Sequence, residues 1–480
     1  MSYMRFFRFR TIDELKSEVK HLGLDEIIKF DENLSEVFKP IKVGRLVIGN
    51  RFAVHPMEGC DGTLDGKPDE LTFRRWERFG GGGAKLVWGE ATAVVEEGRA
   101  NPRQLLLNEK NLKEFALLVQ KARKAHREIW GDDSDLVIGI QLTHSGRWSY
   151  KRPIIAFHNP VVDSLTYIDK EKKIPIDKNY PVVSDDYLER LEDKFVKCAK
   201  LAFEAGFQFV DIKQCHTYLL NELLAGRTRD GKYGGDFLSR TRFIRNVVRK
   251  IKSELGDKIE VASRINVFDC IPFLKDINGI GKPVNYPVPY LYGFGVKEDN
   301  PLEPDLTEPI ELIKILASMG VKLINISMGS PYYNPHIGRP FETPPIDGYK
   351  QPEQPLFGVA RHFKLTSEVK NAVGSDVIIV GTGYSYLREF FVYAAEANIK
   401  EQRVSIVGVG RGALAYPDFF LDLKRYGKLN PSKVCITISH CTNLMRSKHN
   451  ELGQFPAGCV PRDKVYAKIF QIARKGYTKK

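Results

Sequence analysis

The stretch that decides the fold runs from residue 202 to residue 213 and reads Ala202-Phe203-Glu204-Ala205-Gly206-Phe207-Gln208-Phe209-Val210-Asp211-Ile212-Lys213. Ahead of it, apolar residues recur at three- and four-residue spacing from Leu188 to Ala202, which predicts a helix with one apolar face. Gly206 suits the left-handed position at which a helix ends, and the apolar run after it suits a buried strand. The stretch is thus a helix that turns directly into a strand.

The same helix-to-strand unit recurs along the chain. Eight short apolar or β-branched runs predict strands, at residues 52–56, 85–91, 137–142, 209–213, 260–266, 322–328, 376–382 and 403–411. Gly320 and the run Gly80 to Gly83 also stand before strands, and we interpret that run as a turn. Because no GxGxxG turn follows the first strand, the alternation favours an α/β fold of the closed (β/α)8 TIM barrel type over an open doubly wound sheet.

We expect three parts in the chain: an N-terminal helical extension at residues 1–36, the barrel at 37–430, and a C-terminal cysteine-containing appendage packed on the barrel at 431–480. Two long connections, at 147–185 and 268–309, follow the third and fifth predicted strands and therefore leave the carboxyl end, where the active sites of such barrels lie. Four aromatic residues of the second connection are expected to form a lid, with an oligomer contact or plain packing as the open alternative: Tyr286, Tyr290, Tyr292 and Phe294.

Composition excludes several classes of protein. Of the 480 residues 42% are apolar and 28% charged, which suits a large globular core. The formal net charge of +13 is scattered and interleaved with acids, so a solvated surface is favoured over a nucleic-acid site. Residues 1–5 lead into no secretory signal, the seven cysteines are odd in number, and no run of about 18 apolar residues occurs. We expect a cytoplasmic protein without a membrane span.

Four motifs stand at the ends of predicted strands: Phe38 to Met57, Gly89 to Val94, Gln141-Leu142-Thr143-His144-Ser145-Gly146-Arg147, and Val210 to Leu220 followed by Arg229 to Gly235. In this order they resemble the strand-end signatures of the Old Yellow Enzyme family, the NADH:flavin oxidoreductases. The resemblance runs from about residue 37 to about residue 460. It implies a barrel that holds FMN at the carboxyl ends of its strands and uses NAD(P)H as reductant.

The resemblance also implies which residues hold the flavin. Arg264 resembles the arginine that contacts the flavin and Gln141 the amide at its pyrimidine edge, where donors favour uptake of negative charge by the ring. Two alternatives stay open: Arg264 forms a structural salt bridge, and Gln141 only lines the barrel. Gly381, Gly383, Gly410 and Arg411 follow the last two strands, where glycine turns and a forked guanidinium bind phosphate. The other residues expected at the cofactor are Pro56, Met57, Glu58 and Ala91.

Three residues are expected to act on the substrate. Lys213 and His216 occupy the family's H-x-x-H or H-x-x-N pair, which holds a carbonyl oxygen, and a lysine suits a carboxylate or phenolate better than a neutral enone. Tyr218 resembles the tyrosine that gives a proton to one alkene carbon while flavin N5 delivers hydride to the other. The open alternatives are a buried ion pair for Lys213, a hydrogen-bonded rim histidine for His216 and a core tyrosine for Tyr218.

Glu58 stands where the family usually has Thr or Cys. An ionised carboxylate beside the flavin would disfavour the reduced anionic ring, whereas a protonated one could donate a hydrogen bond. The sequence leaves both states open, together with a shift of register in this loop.

The C-terminal segment resembles the dienoyl-CoA reductase and trimethylamine dehydrogenase branch of the family, which binds a [4Fe–4S] cluster through CxxCxxxC and a fourth cysteine. The best register is Cys441, Leu444, Lys448 and Cys459, with Cys435 nearby, so two ligand positions lack a thiolate. We expect a lost cluster and no metal. We also expect the Rossmann-like domains of that branch to be absent, so that electrons come from free NAD(P)H or from a separate electron-donor protein.

Together these features predict an FMN-dependent, NAD(P)H-linked oxidoreductase that reduces an activated C=C bond, or performs a related dehydrogenation, in a small conjugated, anionic substrate. Two alternatives stay open: a non-catalytic flavin-binding or electron-transfer subunit, and a barrel lyase in which Lys213 forms a Schiff base. The substrate, the choice between NADH and NADPH, and whether the chain forms a homo-oligomer are not readable from the sequence.

Overall fold

Eight parallel strands close into a barrel in this computed structural model, which describes residues 6–447 and 453–477. The strands in chain order are β1 (Ile41–Val43), β2 (Leu46–Ile48), β3 (Phe52–Val54), β4 (Leu86–Ala93), β5 (Val137–Thr143), β6 (Tyr167–Asp169), β7 (Ile174–Pro175), β8 (Phe209–Ile212), β9 (Glu260–Asn266), β10 (Phe273–Lys275), β11 (Gly281–Pro283), β12 (Leu323–Ser327), β13 (Ile378–Gly381) and β14 (Ile406–Val409). The barrel order is β3-β4-β5-β8-β9-β12-β13-β14, and β14 pairs with β3 to close it. All eight predicted strands are barrel strands, so the fold prediction is confirmed.

Helices surround the barrel. They are α1 (Ile12–His21), α2 (Glu70–Gly82), α3 (Leu112–Trp130), α4 (Asp185–Glu204), α5 (Leu219–Ala225), α6 (Phe237–Arg240), α7 (Arg242–Leu255), α8 (Thr307–Ser318), α9 (Pro335–Gly338), α10 (Pro355–Val373), α11 (Phe391–Lys400), α12 (Arg411–Ala415), α13 (Phe419–Tyr426), α14 (His440–Arg446) and α15 (Lys464–Tyr477). Short 3-10 turns lie at Glu36–Phe38, Glu96–Gly98, Gly146–Trp148, Asp163–Leu165 and Tyr384–Phe390. Within residues 6–447 and 453–477, no helix has the length and apolar character that a bilayer span requires.

The helix that precedes β8 shows how the sequence builds this architecture. The Ser184 hydroxyl accepts a hydrogen bond from the Tyr187 N–H (3.2 Å) and caps the start of α4. The predicted apolar stripe, including Leu188 and Phe195, is buried in the main core. Gly206 then adopts φ +94° and the chain enters β8.

The amino end of the barrel is closed by apolar side chains. The antiparallel hairpin of β1 and β2 places Val43 and Ile48 in one cluster with inward-facing strand residues such as Trp88 and Phe209. The rings of Trp88 and Phe209 meet edge to face with centroids 4.9 Å apart. This packing fills the amino end and leaves the polar strand-end residues at the other end.

The run Gly80 to Gly83 is not the turn that the sequence predicted. Helix α2 continues through Gly82, and only Gly83 has the left-handed conformation that ends a helix, with φ +93°. A Cβ on Gly80 would lie 2.1 Å from the carbonyl oxygen of Ala122 on α3, and one on Gly82 would lie 1.9 Å from that of Pro417. The predicted left-handed helix end before the strand is confirmed at Gly83. The turn is wrong for Gly80 to Gly82, which are helical, and Gly80 and Gly82 serve close approach to neighbouring segments.

The described part of the N-terminal segment, from residue 6, packs on α11. The Glu396 carboxylate accepts hydrogen bonds from the backbone N–H groups of Ser35, Glu36 and Val37 at 2.8–3.0 Å. Leu15 of α1 is buried in the main core. Residues 1–5 lie outside the described residues, and the predicted boundary at residue 36 stays a prediction.

The segment after α13 crosses the carboxyl end of the barrel. The Ala457 N–H donates to the Gly59 carbonyl oxygen (2.7 Å), and the Glu342 N–H donates to that of Thr437 (2.9 Å). Asp463 accepts a hydrogen bond from Arg74 on α2 (2.8 Å). The predicted division at residue 430 stays a prediction, and residues 448–452 and 478–480 of the predicted appendage, Lys448 among them, lie outside the described residues.

The predicted aromatic lid is wrong. Tyr290 and Phe294 are 2% and 0% exposed in the main core, and Tyr286 and Tyr292 pack against Tyr290 with ring centroids 6.1 and 5.7 Å apart. The two long connections also contact each other, since the Asn159 side-chain amide donates to the Tyr292 carbonyl oxygen (3.3 Å). Burial of large aromatic rings is favourable, and these rings are buried against other parts of the chain. None of the four lines the cavity at the carboxyl end of the barrel.

Candidate active site

A cavity opens at the carboxyl end of the barrel and gathers the predicted site residues. All of them except Gly381 line it: Pro56, Met57, Glu58, Ala91, Gln141, Lys213, His216, Tyr218, Arg264, Gly383, Gly410 and Arg411. Gly381 is the last residue of β13, where a Cβ would come within 2.9 Å of Val404 Cγ2, so its small size serves packing. The roles of the lining residues stay predictions.

Lys213 follows β8 and is only 5% exposed. Its Nζ lies 3.6 Å from the centroid of the Tyr218 ring. Among the residues that the structure describes, none forms a hydrogen bond or an ion pair with Nζ, so Lys213 is not the ion-paired lysine of the structural alternative. Burial lowers its pKa, because the charged form loses hydration. Because no described residue pairs with it, the ammonium can bind an anionic ligand in the cavity.

His216 and Thr217 form a left-handed turn, with φ +68° and +58°, which residues other than glycine rarely adopt. The Thr217 N–H donates to Asn221 Oδ1 (2.7 Å), and the Thr217 hydroxyl accepts from the indole N–H of Trp148 (2.8 Å). Asn221 is held in turn by Asp269, to which its side-chain amide donates at 3.1 Å. These hydrogen bonds fix the strained turn that connects β8 to helix α5.

The turn presents His216 to the cavity. Its Nε2 lies 2.9 Å from the Ser327 hydroxyl at the end of β12. Burial and the positive charge of Arg264 hold the pKa of His216 well below its usual range. The imidazole is therefore neutral, and one of its nitrogens can donate a hydrogen bond.

Tyr218 stands next to a second tyrosine that the sequence reading missed. The hydroxyls of Tyr218 and Tyr332 are 3.2 Å apart, and both residues line the cavity. The Tyr332 ring stacks on Trp148, with centroids 3.8 Å apart and an interplanar angle of 15°. Burial raises the pKa of both phenols, that of Tyr332 to about 12, so both carry their protons at neutral pH.

Glu58 lines the same cavity and has a shifted pKa. Its two carboxylate oxygens accept hydrogen bonds from the side-chain amides of Asn101 and Gln104. Burial raises the pKa of Glu58 to about 7, although the Lys213 charge opposes that shift. The charge of Glu58, which the sequence left open, therefore depends on pH, because the protonated and the ionised carboxyl are both populated near pH 7.

Arg264 and Gln141 lie together on β9 and β5. The Gln141 amide donates to Asp211 (2.6 Å), which also accepts from Trp88 (2.7 Å) and from the Arg264 backbone N–H (2.7 Å). The Arg264 guanidinium forms no ion pair with the described residues, and its buried Nε has no hydrogen-bond partner. The salt-bridge alternative for Arg264 is thus not what the structure shows, and the guanidinium is free to bind a ligand.

The opposite part of the cavity is built from the ends of β13 and β14. Gly383 adopts φ +102°, a conformation that favours glycine. Arg411 begins α12, and one nitrogen of its guanidinium, Nη2, donates to the Pro340 carbonyl oxygen (2.5 Å). The buried Nη1 has no hydrogen-bond partner within the described part of the chain. The cavity therefore has a second unsatisfied arginine.

Several lining residues lie outside the strand-end motifs. They are Met328, Pro331, Tyr332, Arg339, Pro340, Thr382, Thr442, Met445, Arg446 and Ala457, among others. The run Pro331-Tyr332-Tyr333 directly after the sixth predicted strand was a readable signal for Tyr332. The last four reach the cavity through the path of the C-terminal segment, for which the sequence carries no local signal.

The C-terminal cysteines border a second, small cavity. Cys435, Cys441 and Cys459 line it together with Arg411, and all seven cysteines are free thiols. In the parts of the chain that the structure describes, no group of three or more His, Cys, Asp or Glu side chains is arranged to hold a metal ion. Lys448, one position of the predicted register, lies outside those parts, and the loss of the cluster stays a prediction.

An eight-stranded parallel barrel with unsatisfied cations at its carboxyl end is an enzyme architecture.

The family model of the NADH:flavin oxidoreductase / NADH oxidase family matches residues 36–280. An NADPH dehydrogenase of Clostridium acetobutylicum is 22% identical over 398 residues, which covers 82% of this chain and 96% of that protein.

Solved structures share the fold. An Old Yellow Enzyme homologue from Zymomonas mobilis superposes with a TM-score of 0.58 at 18% identity, covering 83% of this chain and 95% of that one. A 2-naphthoyl-CoA reductase superposes with a TM-score of 0.60 at 18% identity, covering 85% of this chain and 54% of that one.

The chain belongs to the NADH:flavin oxidoreductase / NADH oxidase family. It is an NAD(P)H:flavin oxidoreductase whose cofactor is FMN, so the predicted enzyme class and cofactor are confirmed. Its assignment to the dienoyl-CoA reductase and trimethylamine dehydrogenase branch stays a prediction.

The residues present fit FMN. The cofactor has a polar ring edge at one end and a phosphate at the other, and the cavity offers an unsatisfied guanidinium for each, Arg264 and Arg411. Buried donors without partners cost free energy unless a ligand satisfies them. The left-handed Gly383, which lines the same cavity as Arg411, adds a backbone turn suited to a phosphate.

Proposed function

We propose that this protein uses FMN and NAD(P)H to reduce an activated C=C bond in a small, conjugated, anionic substrate. The observation that carries the proposal is the ammonium of Lys213, which forms no hydrogen bond or ion pair with the described residues. It lies 3.6 Å from the centroid of the Tyr218 ring, in the cavity that also contains Arg264 and His216. The cation that would bind the electron-withdrawing group of the substrate thus lies next to the phenol that would protonate the alkene carbon.

The cofactor is held along the strand ends. Arg264 and Gln141 would bind the pyrimidine edge, while Arg411, Gly383 and Gly410 would bind the phosphate. Pro56, Met57 and Ala91 would contact the ring from β3 and β4. Bound FMN supplies the two-electron chemistry that links nicotinamide to acceptor.

Lys213 and His216 would hold the substrate. The ammonium donates to a carboxylate or phenolate oxygen, and the neutral imidazole donates one hydrogen bond to the same group or to a carbonyl. Because these donors are fixed before the substrate arrives, they stabilise the negative charge that develops on the acceptor during reduction.

Tyr218 would supply the proton that completes the saturated bond. Its pKa is raised by burial, so the phenol is protonated when the substrate binds. The Tyr332 hydroxyl, 3.2 Å away, can return a proton to Tyr218 after each turnover and take one in turn from solvent, because Tyr332 is only partly buried. The phenol pair therefore acts as a short proton relay.

The test compares matched acceptors. Purified protein containing FMN is assayed for NADH and NADPH consumption with an α,β-unsaturated aromatic carboxylic acid and with its methyl ester, and the product is identified by mass. We expect the acid to be the better substrate, because only the acid is an anion. Rapid reduction of the flavin without reduction of either acceptor would favour the electron-transfer alternative, and equal turnover of both would remove the role of Lys213.

A further inference from the structure

One buried carboxylate, that of Asp269, lies behind the turn that carries His216. Asp269 belongs to the second long connection, is 7% exposed and is not among the residues that line the active-site cavity. It forms no ion pair with the described residues. Its oxygens instead accept hydrogen bonds from the side-chain amides of Asn221 (3.1 Å) and Asn266 (2.8 Å) and from the Phe294 N–H (2.9 Å). A buried charge without a cation costs free energy, so stability alone does not explain this carboxylate.

Through Asn221 the carboxylate determines the shape of the turn. An ionised carboxylate can only accept hydrogen bonds, so Asn221 must point its NH2 group at Asp269 and its oxygen at the Thr217 N–H, which donates to it at 2.7 Å. Burial raises the pKa of Asp269 to about 6, and the hydrogen bonds that it accepts oppose this shift, so the carboxyl is ionised at about pH 8. The Thr217 N–H is thereby held in the left-handed conformation that His216 and Thr217 share.

The same carboxylate also supports the loop that follows β12. The amide of Asn266 donates both to Asp269 Oδ1 and, at 2.8 Å, to the carbonyl oxygen of Gly329. The amide of Asn334 donates to the backbone carbonyl oxygen of Asp269 (2.9 Å). The loop between Gly329 and Asn334 contains Tyr332, so the carboxylate is tied to both segments that bring these side chains to the cavity.

We infer that Asp269 is a positioning residue, which places two lining residues of the active site. It acts on His216 through Asn221. Its second path, through Asn266, leads to the loop of Tyr332. The inference rests on the proposed function, which gives His216 and Tyr332 their roles. It also gives a role to the second long connection, which would hold the active site from behind without reaching the cavity.

The experiment measures the turn itself and then its effect on catalysis. Hydrogen–deuterium exchange at about pH 8, read by mass spectrometry on peptides that span residues 213–221, is compared in FMN-loaded wild type, Asp269→Asn and Asn221→Ala. The same proteins give kcat/KM for the unsaturated aromatic acid, the Kd for FMN and the free energy of unfolding. Glu396→Gln is the matched control, because Glu396 is also buried and also accepts from backbone N–H groups but lies on α11, outside the cavity.

We expect Asp269→Asn to speed exchange in this peptide by about tenfold, because an amide at position 269 has one acceptor oxygen instead of two and no longer fixes Asn221. The value of kcat/KM for the acid should fall by about 10- to 100-fold, since a small displacement of His216 is enough to misplace the substrate. The Kd for FMN should stay within about twofold of wild type. Asn221→Ala should give the same pattern and decides the question if Asp269→Asn does not fold. Glu396→Gln should lower stability only.

An exchange of the two side chains separates positioning from packing. The double variant Asn221→Asp/Asp269→Asn returns one carboxylate to the pair, and a carboxylate at position 221 still accepts from the Thr217 N–H. Asn221→Asp alone places two carboxylates together, which is unfavourable. We therefore expect the double variant to have a higher kcat/KM than either single variant.

Two results would overturn the inference and leave the proposed function intact. In the first, Asp269→Asn is less stable but keeps wild-type exchange in residues 213–221 and wild-type kcat/KM, which indicates a purely structural carboxylate. In the second, the double variant is no more active than Asp269→Asn, which shows that positions 221 and 269 are not coupled. A wild-type protein that does not reduce the acid would contradict the proposed function itself, and exchange in the turn would still show whether Asp269 places His216.

Discussion

The two ends of the barrel are formed by the same eight strands and have opposite chemistry. At the amino end, Val43, Ile48, Trp88 and Phe209 pack in one apolar cluster. At the carboxyl end, Lys213, Arg264 and Arg411 line the cavity and form no ion pair with the described residues. The first end buries apolar surface, which stabilises the fold, whereas the second desolvates charge, which destabilises it.

The difference teaches where stability and function are separated in this molecule. A change at the amino end should lower the free energy of unfolding and leave ligand binding alone. A change at the carboxyl end should alter ligand binding or catalysis without lowering the free energy of unfolding. The following predictions test that separation.

Tyr218→Phe should give the largest effect. Removing the proton donor should slow reoxidation of the reduced protein by the acceptor by about 10²- to 10⁴-fold, the usual contribution of a general acid. Reduction of the flavin by NAD(P)H should be almost unchanged, because that step does not use the phenol. Stopped-flow absorbance measures the two half-reactions separately. Tyr290→Phe, a buried tyrosine outside the cavity, is the control, and an equal loss in both half-reactions would contradict the assignment.

Phe209→Ala at the amino end should lower the free energy of unfolding by about 3–5 kcal/mol, since it opens a cavity in a closely packed cluster. Urea unfolding followed by circular dichroism measures this change. The Kd for FMN should remain that of wild type in the folded variant. If FMN affinity fell in parallel with stability, the two ends would not be separable.

Lys213→Met should act in two directions. Selectivity for the acid over its methyl ester, measured as the ratio of kcat/KM values, should fall by about 10- to 100-fold because the charged donor is lost. The free energy of unfolding should rise by about 1 kcal/mol, since an apolar side chain replaces a desolvated charge. A variant that became less stable and kept its selectivity would show that Lys213 has a structural role.

Glu58→Gln should give the smallest effect, and one that depends on pH. The pKa of Glu58 is raised to about 7 in the folded protein, so the carboxyl is protonated at pH 5.5 and ionised at pH 8. At pH 8 the substitution removes a negative charge near the flavin and should raise its reduction potential by about 30 mV, a tenfold change for a two-electron couple. At pH 5.5 the potential should not change. Spectroelectrochemistry measures both values, with Glu189→Gln, outside the cavity, as control.

The same carboxyl should also leave a signature in stability. Because the unfolded chain ionises Glu58 at a lower pH than the folded one, wild type should lose stability relative to Glu58→Gln as the pH rises from about 4.5 to about 7. Urea unfolding at pH 5 and pH 8 measures this difference. An equal difference at both pH values would show that Glu58 does not titrate in this range.

Local patterns carried most of the fold and the strand-end part of the site. The barrel strands were readable because each is a short apolar run bounded by turn signals. Lys213, His216 and Arg264 were readable because the segments that carry them resemble motifs of the family. The glycines at 80–82 were misread because their role is set by Ala122 and Pro417, which are distant in sequence.

Long-range packing set what the sequence could not show. The aromatic residues near Tyr290 were expected at the cavity, and burial in the core placed them elsewhere. Arg339 and Arg446 come to the cavity from one connection and from α14, so no spacing along the chain marks them. The charge of Glu58 depends on its degree of burial, which is a property of the folded molecule.

The C-terminal segment that crosses the barrel mouth has an evolutionary consequence. The family match ends at residue 280, whereas the wall of the cavity formed by Tyr332, Arg339, Thr442 and Met445 lies beyond it. That wall can therefore diverge while the family signature stays intact. Two homologues alike over the matched half can thus accept different molecules, because the wall after β12 shapes the cavity together with Lys213 and His216 of the matched half.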